Sequence, residues 1–566
     1  MKLDRDNAAA IRPSEAMIVG ASRSGRFFHA VIVTLFAGTL SAIPAPAQTT
    51  ERLALRPPMG WNDWAHYQCD FTADDILANA KALVKTGLAS HGYSTVTIDD
   101  CWMQKDRDAS GNLQVDPKRF PQGMKAVGDA IHGLGLKFGI YEDAGYLTCG
   151  GFAGSGEPKG GGKDHFLQDA KLFASWGVDY LKLDGCNVYV PTGGTQDAAY
   201  RKAYSAQAAA LKKVGRPVVF SESAPAYFQG TPGWYDVLTW VGGYGQLWRE
   251  GTDINVFDAK KPDASRFDSI LWNYAYNLPL GRWQKPGNWN DADFIIAGDR
   301  GTTLAESRTQ LALWAMMSAP LIVSSDLEKL DSSAIAILGN EAVLAIDQDP
   351  LGESAALVRR TPTIDILFKR LKGGYYAIAI SNRINNTAHV DLHPSDLGFS
   401  GSDGCRFDLE NLWSGNRQSG ASINADVEGH DTEIWRVHAG SSCGVPTRTG
   451  DIILTANEQK HDFGFEGYTR CLSSQGTAGA CTGSSSETWV VGGDGTLRSG
   501  GSCLAVANGK VTLQPCSASA DQHWTWTQAG QLPHGQHQCL TGAGSGLTLQ
   551  SCGHNLADQI WSLPNH

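Results

Sequence analysis

Carboxylates recur directly after short apolar runs in this chain. Asp99-Asp100 follows the run at 94–98, and Glu142-Asp143 follows 137–141. Asp184 follows 180–183, and Ser221-Glu222-Ser223 follows 217–220. Carboxyls grouped in this way can share acid–base and nucleophilic work, one ionised and one protonated. A single such acid could equally cap the next helix. Acids at four successive run ends point instead to one shared site. Lys182 stands two residues before Asp184, so on a strand both side chains face the same way. An ammonium there favours the ionised carboxylate, although the same pair could be a structural ion pair in an interior. No CxxC and no His/Cys cluster at metal-ligand spacing accompanies these acids, and there is no glycine-rich phosphate loop.

The elements that must carry these groups alternate. From about 52 to 350, β-branched or apolar runs are separated by Ala/Leu/Lys-rich stretches of helical character at 74–86, 123–134, 164–176 and 198–214. The run ends fall about 40 residues apart, the pace of a βα repeat. Runs apolar on both faces suit parallel strands covered by helices, and eight such units fill this length as a (β/α)8 TIM barrel with its site at the carboxyl ends of the strands. From about 355 to 440 the texture changes to short strands at 364–369, 375–380 and 432–437, with a Lys372-Gly373-Gly374 turn, predicting a small antiparallel β domain. From about 465 to 566 one pattern occurs three times. Its leading cysteines Cys471, Cys503 and Cys539 are 32 and 36 residues apart, and its tryptophans Trp489, Trp524 and Trp561 are 35 and 37 apart. Repetition at this period signals stacked or pseudo-symmetric units.

Composition narrows the function classes. The chain has 566 residues, enough for several domains, with 47 basic and 58 acidic residues and a net charge of −11. No basic patch or basic total suggests nucleic-acid binding. Seventeen Trp, 16 Tyr and 19 Phe argue against disorder, and suit either core packing or stacking on sugar rings. Twelve cysteines, an even number, suit a disulfide framework in an exported protein. The apolar run at 27–43, preceded by Arg23 and Arg26 and followed by Ala45-Pro46-Ala47, predicts a signal peptide over 1–47, with Met17 an alternative start and a mature chain from about Gln48. The run is short for a membrane span. The expectation is a secreted or periplasmic protein that meets neither membrane nor nucleic acid.

Six motifs in order carry a family resemblance: RPPMGWNDW at 56–64, TIDDCW at 97–102, GIYEDAG at 139–145, WGVDYLKLDGC at 176–186, WREGTDI at 248–254 and NWNDAD at 288–293. Together they resemble the α-galactosidases and α-N-acetylgalactosaminidases of glycoside hydrolase family 27, over about 52–440. The resemblance implies a barrel followed by an antiparallel β-sandwich and hydrolysis of α-galactosidic bonds with retention. Two carboxyls about 5–5.5 Å apart serve that chemistry. The resemblance assigns the nucleophile to Asp184 and the acid/base to Asp253. It assigns sugar stacking to Trp64, recognition of the 4- and 6-hydroxyls to Asp99 and Asp100, and lining of the cleft to Tyr141 and Lys182. Arg249, four residues before Asp253, would hold a sugar hydroxyl or orient the acid. Ser223 and Ala226 would read the 2-substituent, and their small size resembles the N-acetylgalactosaminidases and leaves room for an acetamido group. The chain departs from the common pattern at Glu222, Ala224, Glu142 and Phe294. β-L-Arabinopyranosidase and isomalto-dextranase activities share this frame, and an inactive carbohydrate-binding protein is the rival of another class. The family needs no metal and no cofactor, and the expected partner is an α-linked oligosaccharide or polysaccharide.

The family's disulfide pattern implies Cys69 with Cys101 and Cys149 with Cys186, leaving Cys405 and Cys443 for the β domain and two cysteines for each C-terminal repeat. Those repeats, two closed by QxW, resemble the ricin-type β-trefoil, a carbohydrate-binding module. Ser473, Ala505 and Thr541 stand where an Asp commonly follows the Cys-Leu pair, so the resemblance leaves open only weak polysaccharide binding by this module.

Overall fold

The computed structural model describes residues 53–400, 404–455, 470–517, 519–535, 537–544 and 546–564. Residues 1–47, expected from the sequence to be a signal peptide, lie outside the described residues. Among the described residues no helix is long and apolar enough to cross a membrane.

Eight short strands pair in parallel: β1 (Met59–Asn62), β2 (Thr95–Ile98), β3 (Lys137–Asp143), β4 (Tyr180–Asp184), β5 (Val219–Glu222), β6 (Leu247–Arg249), β7 (Trp289–Asp291) and β8 (Leu321–Val323). Their order is β7-β6-β5-β4-β3-β2-β1-β8. Ile295, just past β7, bridges Val323 in parallel and closes the sheet on itself. Helices Ala73–Lys85, Met124–Gly133, Phe166–Trp176 and Gln196–Val214 follow the first strands in turn. Their N-caps are Thr72, Gly123, His165 and Thr195, so the strand-end acids are not helix caps.

β3 runs two residues beyond its apolar core, so Glu142 and Asp143 lie inside the strand. Side chains alternate along it. Tyr141 and Asp143 take one side, and Glu142 turns to the helix layer, where the Ser155 hydroxyl donates to its Oε1 at 3.1 Å.

The second layer comprises β9 (Ala356–Arg360), β10 (Ile364–Leu371), β11 (Tyr375–Asn382), β12 (Ala388–Leu392), β13 (Phe407–Asn411), β14 (Arg417–Gly420), β15 (Ile423–Val427) and β16 (Thr432–Ala439). A six-stranded antiparallel sheet, ordered β14-β13-β16-β11-β10-β9, faces the two-stranded sheet β12-β15. Alternation along β10 divides its side chains between two cores. Ile366 and Phe368 enter the sandwich with Val390, Ile423 and Trp435, while Leu367 and Leu371 join the barrel core. The buried Lys369 ammonium crosses the same boundary and donates to Ala315 O and Ser318 Oγ at 2.7 Å and to Ile346 O at 2.9 Å.

The three C-terminal repeats close in one way. The indole N–H of Trp489 donates to Leu472 O at 2.7 Å, that of Trp524 to Leu504 O at 2.9 Å, and that of Trp561 to Leu540 O at 2.9 Å. Each tryptophan thus fastens the strand that carries its own leading cysteine, around a core shared by Ile452, Leu472, Leu504 and Leu540. Chain upstream of the first repeat also joins these sheets: Thr449–Asp451 pairs with Thr488–Val491, and Ile453–Leu454 with Arg470–Ser473 and Trp561–Ser562. The trefoil rests on the barrel through Arg282, which donates to Gln528 O and Ala529 O at 2.5 and 2.7 Å, and through Asn555 Nδ2, which donates to Asp236 Oδ1 at 3.1 Å. The cysteines pair as Cys69–Cys101, Cys149–Cys186, Cys405–Cys443, Cys471–Cys481, Cys503–Cys516 and Cys539–Cys552.

Candidate active site

Parallel strands put the residues at their carboxyl ends on one rim. In register, Tyr141 lies beside Lys182 and Asp143 beside Asp184 on β3 and β4, and Arg249 beside Asp291 on β6 and β7. Three connected groups of side chains result.

The first group surrounds Asp99. Its Oδ2 accepts from the Lys182 ammonium and from Asn62 Nδ2, both at 2.7 Å. Its backbone N–H donates to Asp63 Oδ1 at 2.7 Å. Asp100, buried beside it, accepts from the Cys101 N–H at 2.6 Å and the Gly150 N–H at 2.7 Å. Burial pushes the Asp100 carboxyl above its ordinary value, and those amides oppose the shift. Burial alone would depress the Lys182 ammonium, but Asp99, Asp184 and Asp253 outweigh it and hold the group above the usual lysine value. Lys182 also lies 5.2 Å from the Tyr141 ring and 4.9 Å from the Phe294 ring, within cation–π reach.

The second group surrounds Asp184, the half-buried last residue of β4. The Tyr227 hydroxyl donates to Oδ1 at 2.5 Å and the Tyr141 hydroxyl to Oδ2 at 3.3 Å. Burial, and then Asp184 itself, raise both phenols above the ordinary value, so both stay protonated donors. The Gly185 N–H adds a bond to Oδ1 at 2.9 Å. A Cβ at residue 185 would come within 2.9–3.1 Å of atoms of Tyr204, Tyr200 and Tyr227, so glycine is required against this tyrosine cluster. Asp143, fully buried next to it, accepts from the Gly145 and Cys186 N–H groups at 2.6 and 3.1 Å. Burial and Asp184 push its carboxyl well up.

The third group surrounds Asp253. Arg249 ends β6 and is buried, while the Asp253 side chain is 68% exposed. Arg249 Nη2 donates to Asp253 Oδ1 at 2.9 Å and to the carbonyls of Gly251 and Thr252 at 3.0 and 3.2 Å. Its Nη1 lies 2.8 Å from Asp293 Oδ1.

Asp184 and Asp253 therefore differ in setting. One sits in a ring of hydroxyl and amide donors, and the other reaches into solvent from a guanidinium. Both act on the Lys182 ammonium. Trp64 lies partly buried in the short helix Trp64–Tyr67 after β1, its N–H on Asn62 Oδ1 at 2.8 Å. Ser223 and Ala226 lie at the single-turn helix Ala224–Phe228 after β5, the turn that also carries Tyr227. Asp143, Cys149, Asp184 and Cys186 form a compact group of metal-ligand types. Its two sulfurs are bonded to each other, so the group offers no thiolate. Tyr227, Asn62 and Asp293 belong to these networks without having stood out in the sequence. Asn62 and Asp293 lie within the quoted motifs, but nothing in their spacing reveals their partners.

Residues 56–349 match the family described as alpha galactosidase A, 361–437 the alpha galactosidase C-terminal β-sandwich domain, and 467–561 the ricin-type β-trefoil lectin domain. The alpha-galactosidase A of Aspergillus niger is 38% identical over 544 residues, covering 94% of this chain and 96% of that protein. Among solved structures, α-galactosidase I of Mortierella vinacea superposes with a TM-score of 0.59 at 29% identity, covering 68% of this chain and 97% of that one. The α-galactosidase of Saccharomyces cerevisiae, solved with raffinose, gives 0.59 at 25% identity, covering 69% and 98%.

Proposed function

Since the chain belongs to the α-galactosidase family of glycoside hydrolases, we propose that it is an exported, retaining exo-α-galactosidase acting through a galactosyl–Asp184 intermediate. The observation that carries this reading is the contrast between its two rim carboxyls. Asp184 accepts hydrogen bonds from Tyr227, Tyr141 and the Gly185 amide beside a cation, which suits an ionised nucleophile. Asp253 is exposed at the mouth, where a leaving group departs and water enters.

In the first step Asp184 attacks the anomeric carbon while the Asp253 carboxyl protonates the departing oxygen. In the second, the Asp253 carboxylate takes a proton from water, the water oxygen attacks the anomeric carbon, and Asp184 leaves with the original configuration restored. Asp99, Asp100 and Lys182 bind the glycone hydroxyls, Trp64 stacks on its apolar face, and Arg249 orients Asp253. Buried anions such as Asp99 and Asp100 are discriminating readers, because a sugar lacking the matching hydroxyl leaves them unpaired. Export agrees with the six disulfides.

A second reading, hydrolysis of α-N-acetylgalactosaminides, is favoured by the small side chains of Ser223 and Ala226 beside Tyr227. Release of p-nitrophenol from α-galactoside, α-N-acetylgalactosaminide and β-L-arabinopyranoside separates the readings. The α-galactoside should turn over fastest, and Asp184→Asn should abolish it. Turnover of none of the three would sink the proposal and favour a carbohydrate-binding protein.

A further inference from the structure

Asp293 has an unusual position. It is buried in the loop after β7, 1% exposed, and its backbone lies at φ 74°, the left-handed region that side-chain-bearing residues seldom occupy. Strain of that kind persists where the surroundings over-determine it, and it gathers at functional sites. The surroundings here are explicit. The Asp293 N–H donates to Asp291 Oδ1 at 2.9 Å, and its C=O accepts from the Trp314 indole at 2.8 Å. The side chain is aimed at the segment bearing Asp253. Oδ2 accepts the Ile254 N–H at 2.6 Å, one residue beyond Asp253. Oδ1 meets Arg249 Nη1 at 2.8 Å, while Nη2 of the same guanidinium holds Asp253 Oδ1 at 2.9 Å.

Asp253 is exposed and touches no other fixed charge at ion-pair distance among the described residues. Its direction is thus set by one guanidinium and by the backbone that follows it, and Asp293 grips both. We infer that Asp293 is a positioning residue for Asp253: through Arg249 and the Ile254 amide it fixes where that carboxyl meets the leaving-group oxygen. The inference rests on the assignment of Asp253 as acid/base. Burial keeps Arg249 from turning to water if Asp293 is lost, so the guanidinium would pair more fully with Asp253. The proton donor would then be held in the wrong place.

The variant Asp293→Asn keeps the shape and an oxygen for the Ile254 amide but loses the charge facing Arg249. General acid catalysis is worth about 10²–10⁴-fold where the leaving group is poor, and little where it is good. For Asp293→Asn, kcat/KM on melibiose should fall on the order of ten- to a hundredfold. On p-nitrophenyl α-galactoside the fall should stay within about threefold. In the Asp253→Asn background, Asp293→Asn should add no further selective loss. Equal losses on both substrates, or losses that add in the double variant, would overturn the inference. Should Asp293→Asn not accumulate as folded protein, Asp293→Glu carries the same test, since it keeps the charge but shifts the carboxylate relative to Arg249 Nη1 and the Ile254 amide. Its selective loss on melibiose is expected, and a uniform loss overturns the inference. Asp253→Asn alone separates the two claims. If it shows no leaving-group selectivity the acid/base assignment fails, and if it does while Asp293→Asn does not, only the positioning role fails.

Discussion

Replacing Lys182 by Met keeps most of the unbranched side chain and deletes its charge. The ammonium stands 2.7 Å from Asp99 Oδ2, and both side chains are buried. Removing one member of a buried ion pair strands the other at a cost of about 3–5 kcal/mol. Asn62 still holds the same oxygen at 2.7 Å, so the loss should fall near the lower end, about 3 kcal/mol. Asp99→Asn in the same chain removes the stranded charge. The double variant should therefore be about 1–2 kcal/mol more stable than the sum of the single losses implies. Urea unfolding of wild type, both singles and the double, followed by tryptophan fluorescence at neutral pH, gives the coupling directly. Turnover of p-nitrophenyl α-galactoside should collapse in all three variants, because both partners belong to the proposed glycone site. Losses that add, or a Lys182→Met protein within about 0.5 kcal/mol of wild type, would refute the reasoning that this pair is the electrostatic centre of the rim.

Two further outcomes follow from groups away from the reacting atoms. Glu222 is fully buried, neither carboxyl oxygen has a hydrogen-bond partner, and burial pushes its pKa well above the ordinary value. A raised carboxyl leaves stability intact below the unfolded value, about 4.3, and removes about 1.4 kcal/mol per pH unit above it while the folded state keeps the proton. Glu222→Gln should abolish that slope, so its urea midpoint should pull ahead of wild type as pH rises from 4.5; parallel curves would contradict this. Arg282→Ala removes the donor to Gln528 O and Ala529 O that ties the trefoil to the barrel. Hydrogen bonds from a charged group are worth about 1.5–3 kcal/mol each, so thermal unfolding should start earlier and split, with the trefoil melting apart from the barrel, whereas an unchanged single transition would count against the docking.

Much of this was legible in the sequence because parallel strands covered on both faces read as short β-branched or apolar runs, as at 95–98 and 138–141. The apolar run at 137–141 stops two residues short of the end of β3, because Glu142 and Asp143 are polar, and polar residues after an apolar run read as loop. They stay within the strand because Glu142 pairs with Leu183 and Asp143 with Asp184 of β4, while the Ser155 hydroxyl meets one Glu142 oxygen and the Gly145 and Cys186 amides meet Asp143. β6, β7 and β8 are three residues each, too short for any periodicity. Their positions emerge only once the sheet closes. The chemistry-bearing acids were visible because their motifs are dense in charge. Tyr227 was not: its bond to Asp184 spans 43 residues and depends on a single-turn helix after β5. Asp293 was hidden likewise, since a carboxylate in a loop carries no sign of the guanidinium and the amide it will meet. The trefoil repeats were plain from their cysteines, but Thr449–Asp451, which has neither cysteine nor tryptophan, gave no hint of its pairing.

The proposed mechanism turns on a covalent bond between Asp184 and the sugar. Incubation with 5-fluoro-α-D-galactosyl fluoride, which slows breakdown of the intermediate, followed by proteolysis and mass spectrometry, tests it directly. One fluorogalactosyl unit on the peptide containing Asp184 is the predicted result. A label on any other carboxyl, or turnover of the reagent with no labelled peptide at any stage, would contradict it.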